Sequence, residues 1–409
     1  MTGPWKLAGF FVLLAVCAWT GVLQAGEVKE ADGVVHIYNS DQPRGGAEKI
    51  ELKEQWRGGG EDDEIFFGSV AEVLRDEEGN IYLLDSQLSE VKVYSPGGEL
   101  LKTLSREGEG PGEIRNPSDA FFTPEGMVGM IQAFPGKVVM VDRDGNPAGS
   151  YTVGSGDPSQ GRFSVLVTGT SAGDATVFAG IHMSFGQQGT SNQTFFLSRC
   201  DGEGRELQRY TSKEYEIDYN DFSLDELGMD FAWMRHTAGP DGVVYVAPKR
   251  NAYEIEVYDS EGNLLRVIHR EYASLERDAD LKKTAQQTME AVGRNYPNPP
   301  QTVTIEETEP DIAGLTLLAD GRLWVQTSRG TYEPPEDVLA VYDVFDSDGH
   351  FEKQVHLVAP GDASRDAVSV LDGGRVIVMS NALDAYLSQQ GVESGGEEAG
   401  VLEVICYSM

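Results

Sequence analysis

The chain has 409 residues, 40% of them hydrophobic and 24% charged, a balance that supplies a sizeable core and excludes a disordered chain. Its 67 acidic and 32 basic residues leave a formal charge of −35. Such a polyanion is a poor electrostatic partner for nucleic acid or for an anionic membrane surface, and both ligand classes are set aside.

Residues 1–25 read as a targeting segment. Lys6 is the one early charge, an apolar run covers residues 7–23, and Gln24-Ala25-Gly26 follows. A basic start, a hydrophobic stretch and a small residue at a cleavage point make a secretory signal, cut near Ala25 although Leu23 is larger than usual at its position. The run is also just long enough to span a bilayer, so an uncleaved anchor is the alternative. A lipoprotein site at Cys17 is disfavoured by Val16 before it. Residues 26–409 are read as one domain, periplasmic or secreted.

One pattern then recurs: an apolar strand, an acidic-Gly turn, a strand of about five residues, a loop, and further strands joined by Asp-x-(Asp/Glu)-Gly or a relative. Its clearest copy spans residues 70–104. The first-turn glycines stand at 79, 126, 173, 242, 321 and 373, in steps of 47, 47, 69, 79 and 52. A period in the forties with four short strands per unit is the signature of a β-propeller, here all-β and six-bladed. The sixth copy reaches Met409 directly after its third strand. An N-terminal strand is therefore expected to close the ring: residues 49–56, with residues 34–38 as second candidate. Cys200 and Cys406 fall in blades 3 and 6, on opposite sides of the ring. That separation is beyond disulfide reach, so two free, partly buried thiols are expected.

Two insertions break the period. Residues 183–194 form a polar hairpin loop in blade 3. Residues 273–310 lie between blades 4 and 5, and there Leu275, Leu281, Ala285, Met289 and Val292 recur at roughly helical spacing. Ser274, with Arg277 and Asp278, gives an imperfect cap, and a Pro-rich stretch at 296–300 stops the helix. This insertion reads either as a lid over the ring or as the wall of a binding face.

At this point the residues resemble a family. Asp76-Glu77-Glu78-Gly79-Asn80-Ile81-Tyr82-Leu83-Leu84-Asp85, with Val91-Lys92-Val93-Tyr94 after it, looks like an NHL-type repeat. Arg106-Glu107-Gly108-Glu109-Gly110-Pro111-Gly112-Glu113-Ile114 is similar to the Gly-Pro-Gly-Glu loop of exported bacterial six-bladed β-propeller proteins, and Asp320-Gly321-Arg322-Leu323-Trp324-Val325 looks like their late-blade motif. The resemblance covers about residues 34–409. It implies the fold and export, and it names no function.

The chemistry is sought at the ring axis, because every inner strand offers its start to a central funnel. By register the candidates are Glu72, Asp119, Arg162, His236, Asp311 and the pair Arg365-Asp366, with Arg235 beside His236. Trp233 in the same cluster is assigned to core packing. None of the six histidines forms a His-x-His or His-x-x-x-His pair. His182 and His236 are the imidazoles placed to reach a site across blades. Asp142-x-Asp144-x-Asn146 begins like a calcium loop, but Pro147 and Val153 occupy the required glycine and glutamate positions. Gly169-Thr170-Ser171-Ala172-Gly173 has the letters of a nucleophile elbow, but a strand follows where the elbow needs a helix. Gly110, Pro111, Gly112 and Glu113 form a structural loop from blade 1 into blade 2, with Glu113 or Arg115 expected to clamp neighbouring blades.

No cofactor is assigned, and a divalent ion such as calcium in the channel stays open. The expected function is that of a monomeric binding or scaffold propeller outside the cytoplasm, offering its funnel face to a protein, peptide or glycan. Membrane contact would come only through an uncleaved targeting segment. The alternative is a metal-dependent lyase or hydrolase of amidating-lyase or lactonase type, an activity the resemblance includes.

Overall fold

A computed structural model describes residues 26–60, 65–154, 161–186, 189–392 and 400–409; the targeting segment read at residues 1–25 lies outside them. The acidic turns organise everything else. Asp142 accepts the N–H groups of Asp144 and Asn146 at 2.9 and 2.8 Å, Asp259 those of Glu261 and Asn263, and Asp346 those of Asp348 and His350. Each carboxylate is thus spent on its own backbone, which makes these segments turns. The six first-turn glycines all sit at φ between +64° and +88°, a region that favours glycine.

The turns fold successive apolar strands into antiparallel meanders, giving a six-bladed β-propeller. Blade 1 is Val70–Arg75, Ile81–Asp85, Glu90–Tyr94 and Leu100–Leu104; blade 2 is Pro117–Phe122, Val128–Gln132, Lys137–Val141 and Pro147–Thr152. Blade 3 is Arg162–Ala172, Ala175–Phe185, Thr190–Cys200 and Glu206–Asp218; blade 4 is His236–Ala238, Val244–Val246, Glu254–Tyr258 and Leu264–Arg270. Blade 5 is Ile312–Leu317, Leu323–Thr327, Ala340–Phe345 and Phe351–Val358; blade 6 contributes Ala367–Leu371, Arg375–Ser380 and Glu403–Ser408. Apolar cores fill the spaces between neighbouring blades, as with Trp56, Tyr94, Val404 and Cys406 between blades 6 and 1. Cys200 and Cys406 are free and buried, and burial pushes their thiols up to about 12 and about 11.

The N-terminal segment closes the ring, one step later than the sequence suggests. Lys53–Gly59 pairs antiparallel with Glu403–Ser408 as the outer strand of blade 6, setting Trp56 opposite Cys406. The first part of the expected strand, Ala47–Glu51, instead pairs in parallel with Phe351–Val358 of blade 5. Val34–Asn39 pairs in parallel with Leu264–Arg270 of blade 4 and is backed by Glu27–Ala31. The segment is therefore a belt across the outer edges of blades 4, 5 and 6. Parallel pairing between strands far apart in sequence leaves no turn signal to read.

Two further expectations shift. The expected hairpin loop at residues 183–194 is shorter than the sequence suggests, because Ala175–Phe185 and Thr190–Cys200 pair antiparallel and take up residues 183–185 and 190–194; residues 187 and 188 lie outside the described residues. Ser191 and Gln193 are buried and Asn192 is exposed, so the strand alternation is present but carried by polar residues. The insertion helix is Ala279–Gly293, and its cap is Asp278, whose carboxylate accepts the N–H groups of Asp280 and Leu281. Among the described residues no helix is long and apolar enough to cross a membrane.

Candidate functional site at the ring axis

In such meanders the chain enters each inner strand on one face of the ring, and the loops between second and third strands share that face. The Gly-Pro-Gly-Glu loop, the tip of blade 3 and the insertions all lie there. The acidic turns lie on the opposite face.

The inner strands of blades 1 to 4 bring a line of polar groups together. Glu72 on blade 1 and Asp119 on blade 2 hydrogen-bond through their carboxyl groups. Glu72 Oε1 also accepts Val73 N–H at 2.8 Å. Asp119 accepts Ala120 N–H at 2.8 Å and, from blade 3, Gly169 N–H at 2.7 Å. Burial pushes Glu72 up to about 7. Burial, followed by the adjacent Glu72 charge, raises Asp119 well above the usual aspartate range. Each carboxyl therefore takes up a proton more readily than an ordinary one, and ionisation of both at once is disfavoured. Three of its four oxygens already accept backbone N–H groups, so the pair fits a proton better than calcium, which takes six to eight oxygens.

The line continues into blade 4. Beside Gly169 stands Thr168, at a bulge in the blade 3 inner strand. Its hydroxyl lies 3.3 Å from the Trp233 carbonyl and 3.5 Å from Nε2 of His236. His236 is buried and its Nδ1 meets the Ala232 carbonyl at 2.9 Å. That contact places the proton on Nδ1 and leaves Nε2 as the acceptor facing Thr168. Burial pushes His236 below the usual histidine range, so the ring is neutral.

The remaining candidates stand apart from this line. Arg162 is exposed at the far tip of blade 3, opposite Ser184 and six positions before Thr168. Arg235 is buried against the Asp230 carboxylate and the Phe231 carbonyl, at 2.8 and 3.0 Å. Asp311 is buried at the start of the blade 5 inner strand, where burial raises its carboxyl. Arg365 pairs with Asp384, and Asp366 accepts the N–H groups of Asn381 and Asp362. His182 stacks on Phe196 and bonds Ser164, packed between blades 2 and 3. In the Gly-Pro-Gly-Glu loop, Glu113 accepts Gly110 N–H at 2.9 Å and pairs with Arg106, while Arg115 pairs with Glu109. These bonds hold the loop to itself. Buried Ile114, packed in the core between blades 1 and 2, links the neighbouring blades in place of Glu113 or Arg115. Among the described residues, no three His, Cys, Asp or Glu side chains are arranged to hold a metal ion.

Sequence reasoning missed a second polar cluster, which fastens the insertion. Arg277 bonds Glu226 through both terminal nitrogens, at 2.6 and 2.8 Å, and Glu309 through Nε at 2.6 Å. Arg250 reaches Glu226 at 2.7 Å, and Glu226 also accepts Glu306 N–H at 2.7 Å. Burial would raise Glu226, but Arg277, the Glu306 N–H and Arg250 together hold it below the usual glutamate range. Arg277 and Glu309 bracket the insertion in sequence, and that bracketing was the available signal.

Above the ion cluster the insertion spreads across the funnel mouth. Met289 packs with Ile217, Phe222 and Leu224 on the blade 3 side. Ala291 packs with Leu387 and Val392, which belong to the blade 6 excursion built on helix Ala382–Gln389. Gln389 extends the contact to Ser86 of blade 1 at 3.4 Å. Blades 3 and 6 are opposite in a six-membered ring, so a helix touching both sides must pass over the face.

Fold and site together define a six-bladed propeller with one capped face and a buried polar line along its inner strands. No protein-family model matches the chain, and no curated protein matches it either. Among solved structures it is similar to a Bacteroides fragilis protein described as exported, with 10% identity over 91% of this chain and 99% of that one and a TM-score of 0.46. A DUF4221-family member from Bacteroides vulgatus shows 11% identity over 87% and 97% of the two chains, with a TM-score of 0.46. Virginiamycin B lyase from Staphylococcus aureus shows 9% identity over 88% and 99%, with a TM-score of 0.41. The likeness is one of overall shape.

Proposed function

We propose that the chain is an exported binding or scaffold propeller, which presents its lid-covered face to a protein, peptide or glycan outside the cytoplasm. The lid carries this reading. Its Met289 packs into an apolar core with Ile217, Phe222 and Leu224 of the blade 3 side, and it is fastened by a buried cluster of two arginines and two glutamates. It therefore turns the funnel mouth into one composite surface drawn from several blades, and a rigid surface loses little entropy on binding. The test is to incubate the immobilised mature chain with envelope extract of its own cell, then map the captured complex by hydrogen exchange. Protection of the lid and the loops around it is expected. Protection confined to the acidic turns on the opposite face would overturn the reading.

A lyase or hydrolase at the axis is the second reading, favoured by the hydrogen-bonded carboxyl pair Glu72 and Asp119, both raised by burial. Turnover of a lactone or peptidyl substrate, lost in Asp119→Asn while the fold persists, would establish it over the first.

A further inference from the structure

A row of aromatic rings runs along the lid-side edge of blades 2 and 3. Phe134, Phe163, Phe185 and Tyr219 follow one another at centroid distances of 4.9, 5.8 and 6.1 Å. The row continues through Phe222 and Tyr296 into the lid, at 5.7 and 5.2 Å. Its inner end is packed, with Phe222 at 1% exposure. Its outer end is open, with Phe134 at 58% and Phe185 at 46%. Two phenylalanines left in water within one contiguous row mark an interaction surface better than a packing one.

The charge beside the row selects the partner. Asp218 and Asp221 are exposed on either side of Tyr219, and Glu214 and Glu216 are exposed on the same outer strand but on its other face, Glu216 in the cross-strand row of Arg162, in a molecule of formal charge −35. Aromatic faces attract cations, and flanking carboxylates steer them in. We propose that Phe134, Phe163, Phe185 and Tyr219 form a ledge that docks a segment of a partner protein carrying lysine or arginine between apolar residues. The assignment rests on the lid face being the binding face.

The test uses the mature chain and three fluorescent probes: a peptide alternating Lys and Leu, a Glu/Leu peptide of equal length, and a β-glucan oligosaccharide. Fluorescence anisotropy should show binding of the Lys/Leu peptide that weakens as salt rises. Phe134→Ser with Phe185→Ser should weaken it ~10-fold or more, the loss expected for removing two apolar contacts, with the thermal unfolding curve unmoved. Asp218→Asn with Asp221→Asn should weaken it ~3-fold and flatten the salt dependence. No binding of the Lys/Leu peptide, equal binding by the Phe134→Ser/Phe185→Ser chain, or equal or tighter binding of either other probe would overturn the ledge. If these fail while the envelope partner still protects the lid, the ledge alone is wrong. If protection falls on the acidic turns, the lid-face reading falls with it.

Discussion

Glu72 and Asp119 give the molecule a pH dependence opposite in sign to that of a salt bridge. Burial raises both carboxyls in the folded state, Glu72 to about 7, while the unfolded chain leaves them at ordinary values. The folded protein therefore binds more protons than the unfolded one, and this pair's contribution to stability falls as pH rises from about 4.5 towards 7. Glu72→Gln removes the penalty without changing shape. It is expected to stabilise the protein by about 2 kcal/mol at pH 8 and by little at pH 4.5. Thermal unfolding of both chains at the two pH values checks the sign, and a gain confined to low pH would contradict it. Glu72 and Asp119 were each legible as axis candidates, because both stand seven positions before their turn glycines, but nothing in the sequence says that they meet. Arg162 stands eleven positions before Gly173, where Glu72 and Asp119 stand seven before their glycines, and the blade 3 inner strand bulges between Leu166 and Thr168. The channel position there passed to a threonine and a backbone N–H, which carry no charge for a reader of sequence to notice.

The lid shows how an inserted element is held on a ring that can close without it. Its helix buries Met289 and Ala291, yet its foot rests on charges: Arg277 has 3% side-chain exposure, and Glu226 and Glu309 have 16% and 11%. Removing one partner from such a cluster leaves the others buried and unpaired, at a cost of about 3–5 kcal/mol. Arg277→Ala is thus expected to open the lid before it unfolds the ring. Amide exchange over Ala279–Gly293 should accelerate ~100-fold, while exchange in the second and third strands of the blades stays unchanged. A uniform acceleration throughout the molecule would mean that the lid and ring unfold as one unit. The helix itself was visible as a periodic apolar pattern ended by prolines. Its anchoring was not, because Glu226 and Arg250 come from other loops and meet Arg277 only in the folded chain.

At the scale of the whole molecule the ring depends on a strand drawn from the far end of the chain. Six blades were readable because each needs a tight turn between its first two strands, and the turn glycines repeat whatever the insertions do. The closing strand was readable too, a few residues early, but the pairing of Val34–Asn39 with blade 4 and of Ala47–Glu51 with blade 5 was not, since both join in parallel with no connecting turn. Only part of the N-terminal belt closes the ring. Lys53–Gly59 completes blade 6, and Trp56 from that strand stacks on Tyr94 of blade 1 at 5.1 Å. Gly98 permits the approach, because an added Cβ there would fall 2.5 Å from Trp56 Cβ. Trp56 thus joins the last blade to the first, and Trp56→Ala should cost about 3–5 kcal/mol in urea unfolding. Ala47–Glu51 and the strands before it only cover edges that are already paired on their other side. Removing residues 26–51 should therefore lower the melting temperature yet keep one cooperative calorimetric transition. Removing residues 26–59 takes the closing strand, leaves blade 6 with three strands and frees an edge on it, and the single transition should be lost. If the shorter deletion abolishes it too, closure belongs to the whole belt and not to the Trp56 strand.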